Sequence, residues 1–235
     1  MGDIPDILRL YGLQLLIGTY PNGPLGGLAL TLLMAIAGLV CAFPLAVALG
    51  IARTSRLSWI AWPASAVVHC VRGLPVLMLL FWAYFAIPLI TGKSISGVTT
   101  VVCALVLYET AYIGEVVKAG ILAIPAGQVG AAKSLGLSYF QTLRHVVLPQ
   151  ALFHSIPSIL NQLISLIKNT SLAYIISVNE LTFSAYQINT QLLTKPFQVY
   201  FILAAIYFAI CYSLSTLVGR FETRINNRAT RPVLA

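Results

Sequence analysis

The sequence predicts an all-α, polytopic membrane protein with five transmembrane helices. Three observations carry that prediction. The 235 residues are 59% hydrophobic and only 9% charged, against about 25% charge in a soluble domain, and the mean hydropathy is +0.90. So much apolar surface cannot be hidden in one core, so the solvent must be lipid. Apolar runs of the roughly 20 residues that cross a bilayer recur along the chain. Lysine and arginine sort to alternate sides of those runs.

The elements follow in order. Residues 1–24 fall short of a span. Ile7, Leu8, Tyr11 and Leu15 share one helical face, which predicts an extracytoplasmic, interfacial helix. Gly23, Pro24, Gly26 and Gly27 then break the chain. The first span covers 28–52. The second apolar region, 59–90, is interrupted by VRGLPV; Pro75 lacks an N–H and disfavours helix at Leu74, so a kink is expected there. Spans at 98–117, 156–178 and 199–219 complete the domain of residues 25–222. A basic tail, 223–235, follows.

Orientation follows from the cations. With residues 125–151 in the cytoplasm, the inner side holds Arg53, Arg56, Lys118, Lys133, Arg144, Arg220, Arg224, Arg228 and Arg231, and the outer side holds Arg9, Lys93 and Lys195. That bias puts the N-terminus outside and the C-terminus inside. The net charge of +8 is thereby accounted for without nucleic acid, since the cations are not interleaved with aromatics on a soluble domain. Cys41, Cys70, Cys103 and Cys211 fall in or beside apolar runs and read as buried free thiols. His69, His145 and His154 show no ligand spacing, so no metal site is expected. Asp3 and Asp6 stand where a cleavable signal would be basic.

The stretch PAGQVGAAKSLGLSYFQTLRHVVLPQA, residues 125–151, is polar where its surroundings are apolar. Gln128 to Leu135 predicts a short helix with Ala131, Ala132 and Leu135 on a small, close-packing face. Gly136 suits a left-handed C-cap. Ser138 and Gln141 match the capping box of a second helix, with Phe140, Leu143 and Val147 on one face and Pro149 as its stop. A compact elbow results. Its physics alone fits an amphipathic interfacial loop and a docking knob equally.

The elbow resembles the "EAA" loop of ATP-binding-cassette importer permeases. Gly130-Ala131-Ala132, then Gly136, then Leu148-Pro149 follow the pattern, with Gly130 where the family usually has Glu. Lys133, Leu135 and Ser138 fall within the same loop. Arg72-Gly73-Leu74-Pro75 is similar to the family's RGTP block. The run Glu115 to Ile121 is similar to its E-x-x-R-A-G-I, and Lys168-Asn169-Thr170-Ser171-Leu172 to its K-D-T-S-L. Together these blocks resemble the polar amino-acid permeases. The resemblance implies a type I importer permease of the bacterial cytoplasmic membrane. The elbow would be its cytoplasmic coupling helix, docking an ATPase. Implied partners are a second permease, identical or sibling, two ATPase subunits, an extracytoplasmic amino-acid-binding protein and membrane lipid. ATP and Mg would sit on the ATPase, with no cofactor on this chain and no catalysis by it.

A transported substrate needs a polar path. Lys168 lies in an expected span, where a cation costs roughly 2.5–3.5 kcal/mol unless partnered or in water. Asn161, Gln162 and Asn169 stand on neighbouring turns, and Thr170 and Ser171 can bond across helices or line a pore. Glu109 and Tyr112 share a face of the third long span. Glu115 is expected to pair with Lys118, and Arg72 to lie at the inner interface, as anchor or gate. Asn169 replaces the acid of the family block, so the expected cargo is acidic or neutral: glutamate, aspartate or glutamine. Two other classes compete. A secondary amino-acid transporter working without an ATPase would show internal repeats, and none is evident. An intramembrane enzyme would need a nucleophile with its base or a metal set. Thr91-Gly92-Lys93-Ser94 mimics a phosphate loop, but Ile87 stands where its first glycine belongs.

Overall fold

The computed structural model describes residues 3–229, and every long element in it is a helix. In chain order these are α1 (Asp3–Ile17), α2 (Gly27–Arg53), α3 (Ser58–Arg72), α4 (Val76–Thr91), α5 (Gly97–Leu122), α6 (Ala126–Ser134), α7 (Tyr139–Thr142), a π turn (Leu143–Val147), α8 (Leu148–Asn169), a 3-10 segment (Thr170–Ile176), α9 (Leu181–Leu192) and α10 (Pro196–Ala229). Arg231 and the rest of 230–235 lie outside the described residues. Among the described residues, α2, α5 and α10 are long and apolar enough to cross a membrane, and α3–α4 makes a fourth candidate if the broken pair is one span.

The sequence expectations meet this chain unevenly. The break in 59–90 falls where Pro75 put it: α3 ends at Arg72 and α4 begins at Val76. The span expected at 156–178 is different. Its helix starts earlier, at Leu148, and ends at Asn169, where the backbone tightens into 3-10 geometry. Pro149 does not stop the elbow's second helix. Proline cannot donate to the carbonyl four residues back, and its ring crowds that carbonyl. The π turn loosens the backbone there, with Leu148 N–H donating to Leu143 O, and the helix runs on. Thr91-Gly92-Lys93-Ser94 ends α4, with Gly92 left-handed at φ 66° and donating to Pro88 O, so no helix N-terminus faces a phosphate there.

The chain divides into two compact units. The first comprises residues 3–40, 74–106 and 163–215. Its main core packs Leu30, Met34 and Ala35 of α2 against Val101, Ala104 and Leu105 of α5 and Leu166 and Ile167 of α8. A second cluster joins Ile7 and Leu15 of α1 to Leu181, Ala185 and Ile188 of α9 and Val199 and Ile202 of α10. The N-terminal helix is therefore docked on protein along its Ile7–Tyr11–Leu15 stripe. Leu8 is not on that stripe. With Leu10, Leu13 and Leu16 it looks outward.

The second unit comprises residues 41–73, 107–162 and 216–229. Ala42 and Ala46 of α2, Val68 and Val71 of α3, Ile113 and Val117 of α5 and Ala151 of α8 are buried in it. Small residues set its helix spacing. A β carbon on Gly120 of α5 would stand 2.5 Å from Ser155 Oγ and 2.9 Å from Ala151 O of α8, a small-residue crossing of the kind that lets membrane helices touch backbones. The expected burial of the thiols fails. Cys41, Cys70 and Cys103 are free and exposed, and Cys211 is half-buried. In a chain whose solvent is lipid, apolar helix faces point outward, so an apolar neighbourhood in sequence does not mean an interior position.

Candidate functional site: a capped elbow and an arginine–carboxylate cluster

The elbow is built by local chemistry. At the end of α6, Leu137 N–H donates to Ala132 O at 3.2 Å and Gly136 N–H to Lys133 O at 2.9 Å. Gly136 takes φ +80°, the left-handed conformation that glycine adopts without penalty. Ser138 then opens α7 with a full capping box: Gln141 N–H donates to Ser138 Oγ at 3.3 Å, and Ser138 N–H to Gln141 Oε1 at 2.8 Å. Gln150 of α8 closes the elbow by donating to Gln128 Oε1 at 2.7 Å.

The two faces of the elbow differ. Ala132, Leu143 and Val147 are buried on the chain. Gly130, Ala131, Lys133, Gly136, Ser138 and Pro149 are exposed, and Leu135 is 82% exposed. Two expected groupings are therefore corrected. Ala131 and Leu135 do not share the buried face of Ala132, and Phe140, 65% exposed, does not share that of Leu143 and Val147. Leu148 is half-buried. Among the described residues, a β carbon on Gly130 would meet nothing within 4 Å. The packing of the described residues thus leaves Gly130 open.

A second constellation forms in the same unit. Glu115 of α5 accepts from Arg53 Nη1 at 2.5 Å and from Arg72 Nη1 at 3.0 Å. This replaces the expected pairing with Lys118: the partners come from the ends of α2 and α3, not from the next turn. The Arg53 side chain is 2% exposed and also reaches Ser65 Oγ at 3.4 Å. Arg72 lies 5.2 Å from the centre of the Tyr112 ring, a cation–π distance. The Tyr112 ring in turn lies tilted against that of Tyr108, 4.5 Å between centres. Glu109 is fully buried, and among the described residues neither carboxyl oxygen has a partner. Glu109 and Tyr112 are thus on the same helix but in different settings.

The remaining predicted path residues divide between the units. In the second unit Asn161 is exposed and Gln162 half-buried. In the first unit Lys168 is exposed, Asn169 and Ser171 are half-buried, and Thr170 is buried. The Thr170 hydroxyl donates to Ile167 O at 2.7 Å and that of Ser171 to Lys168 O at 2.6 Å. Both hydroxyls close the C-terminus of α8, where its last carbonyls lack partners.

One residue had no part in the sequence reading. Glu180, fully buried, caps α9 by accepting from Thr182 N–H at 2.8 Å and Phe183 N–H at 2.9 Å, and also accepts from Tyr207 Oη at 3.2 Å. Thr31 of α2 accepts from Leu181 N–H beside it at 3.1 Å. An acid just before a helical run is a readable N-cap signal; its burial is not readable.

Long apolar helices interrupted by a folded, polar insertion define a multi-helix membrane protein. Residues 36–227 match the family model described as binding-protein-dependent transport system inner membrane component, and the chain belongs to that family. It is 36% identical over 214 residues to a probable glutamine ABC transporter permease protein, GlnP, of Bacillus subtilis strain 168, covering 88% of this chain and 98% of that one. It is 34% identical to a glutamate/aspartate import permease protein, GltK, of Escherichia coli O157:H7, covering 85% and 92%. A crystal structure of an amino acid ABC transporter with histidines superposes with a TM-score of 0.77 at 31% identity, covering 84% of this chain and 92% of that one.

Proposed function

We propose that this chain is the permease subunit of an ATP-driven importer of polar amino acids, acidic or neutral in preference to basic. The observation that carries the reading is the elbow. A segment whose two helices are capped where they meet, with glycines, Ala131 and Leu135 exposed and Ala132 and Leu143 turned inward, is a knob whose outer face has no occupant among the described residues. Ordering such a segment costs on the order of 1–2 kcal/mol per residue in backbone entropy, and a mere linker would not need it.

In this reading the elbow, residues 125–151, docks an ATPase subunit in the cytoplasm through Gly130, Ala131, Lys133, Leu135, Gly136 and Ser138. Ala132, Leu148 and Pro149 set its shape. ATP and Mg sit on two ATPase subunits, and this chain hydrolyses nothing. A second permease completes the pathway, and an extracytoplasmic binding protein delivers the substrate. The chain crosses the membrane five times with its N-terminus outside, α8 being the fourth crossing and α10 the fifth. Residues 25–222 form the transport domain, 1–24 an extracytoplasmic segment and 223–235 a cytoplasmic tail. Glu109, Tyr112, Asn161, Gln162, Lys168, Asn169, Thr170 and Ser171 contribute to the substrate path, and Arg72 and Glu115 to its inner interface. The relatives named for glutamine and for glutamate/aspartate support the acidic or neutral cargo, as does Asn169 beside Lys168.

The test is company. The chain should co-purify with an ATPase and, in proteoliposomes with its binding protein, take up glutamine, glutamate or aspartate only when ATP is supplied on the elbow side. Uptake by the chain alone, driven by an ion gradient, would identify a secondary transporter instead.

A further inference from the structure

On the face that Leu143 and Val147 bury, the elbow encloses a cavity of about 170 Å³ lined by Arg56, Lys133, Tyr139 and Thr142, with Leu122 and Leu143 as apolar wall. A second hollow, about 480 Å³, shares Tyr139 and Leu143 and adds Arg144, Ile60 and Leu148. Three features make this more than a gap. Among the described residues, no carboxylate pairs with Arg56, Lys133 or Arg144. The Arg56 guanidinium is held 5.6 Å over the Tyr139 ring. The Thr142 side chain is buried and its hydroxyl has no partner among the described residues, although buried polar groups are nearly always satisfied. Two cations on one cavity, Arg56 and Lys133, with Arg144 on the adjoining hollow and an unsatisfied hydroxyl beside them, fit a phosphate-bearing ligand. The apolar walls and the neighbouring hollow fit a hydrocarbon chain attached to it.

We propose that this cavity holds the phosphodiester headgroup of an anionic phospholipid of the cytoplasmic leaflet, with an acyl chain in the adjoining hollow. The choice of lipid rests on position. Trp59 and Trp62, 72% and 75% exposed, follow Arg56 at the start of α3, and exposed tryptophans mark the bilayer interface. The placement of this face in the cytoplasm rests on the orientation given under the proposed function. The bound lipid would brace the elbow from beneath while its outer face engages the ATPase.

The test uses the intact complex, purified in detergent and exchanged into nanodiscs of phosphatidylglycerol with phosphatidylcholine, or of phosphatidylcholine alone. Retained lipid is counted by native mass spectrometry. The wild type should retain phosphatidylglycerol selectively. Arg56→Gln should weaken retention about fivefold, the scale for one cation at an anionic surface, and Thr142→Val, nearly isosteric, should weaken it without altering the helix. Both variants should keep the ATPase bound. Equal retention of the two lipids, or unchanged retention in both variants, overturns the proposal. Displacement by millimolar inorganic phosphate would mean that a free phosphate species is the ligand, and overturns the lipid. Loss of the ATPase from both variants would make the cavity a protein-docking surface, also overturning it. If the wild-type chain recruits no ATPase yet still retains phosphatidylglycerol selectively, the proposed function fails and the lipid site stands.

Discussion

Arg53 donates to the carboxylate of Glu115 at 2.5 Å although 62 residues separate them, and that bond fastens the end of α2 to α5. Arg72, from the end of α3, reaches the same oxygen. Their exposures differ: the Arg53 side chain is 2% exposed and that of Arg72 is 40% exposed. Removing Glu115 strands a buried cation, which costs about 3–5 kcal/mol in buried pairs. Removing Arg72 breaks a solvated contact worth about 0–1 kcal/mol. Glu115→Ala should therefore lower the thermal unfolding temperature of the purified complex markedly, and Arg72→Gln hardly at all. Equal shifts for the two would mean that Arg53 is not held by this carboxylate.

The elbow predicts a split between neighbours. Ala131 is exposed and Ala132 buried. Ala131→Leu should leave stability unchanged yet uncouple ATP hydrolysis from uptake, because it alters only the docking face. Ala132→Leu should destabilise by about 1–3 kcal/mol through overpacking. Gly136→Asp should do both, since a side chain at φ +80° costs roughly 1–2 kcal/mol. Coupled transport by Ala131→Leu at the wild-type rate would remove the docking role.

What the sequence made legible was local. Ser138 and Gln141 are three residues apart, so their reciprocal cap could be read from spacing, as could Gly136 and the break at Pro75. The Glu115 cluster could not, because its partners come from two other helices and the nearest cation, Lys118, offered a simpler pairing. Pro149 was misread as a stop because a π turn leaves no mark in residue type. Cys41 and Cys103 show the general difficulty: in lipid, apolar character marks the outside as readily as the core.

Glu180 lies between the 3-10 segment and α9, in none of the candidate spans, and gives a pH test. Burial pushes its carboxyl up to about 7, against the pull of the Thr182, Phe183 and Tyr207 donors. An unfolded glutamate titrates near about 4.3. A folded value above the unfolded one means stability that is fully present below about pH 4 and is lost as pH rises through about 7. The wild-type complex should thus lose thermal stability between pH 5 and 8 relative to Glu180→Gln, which carries no proton to release. Parallel profiles for the two would place the carboxyl at its ordinary value.

Lys168 provides the sharpest functional contrast. It is exposed at the end of α8, and a cation within the bilayer needs a water-filled cavity or an anionic companion. The proposed path supplies both when an acidic substrate passes. Asn169, beside it, adds hydrogen bonds without charge. Reversing the charge should reverse the preference: Lys168→Glu should shift the uptake ratio of glutamate to arginine by at least roughly tenfold, about 1.4 kcal/mol, while Lys168→Arg should keep the acid preference. The binding protein filters cargo first, so the ratio is best read with substrates in excess over it. A native complex that prefers arginine or lysine to glutamate, aspartate and glutamine would exclude this role for Lys168. So would an unchanged ratio in Lys168→Glu, because a residue lining the path cannot reverse its charge without the traffic registering it.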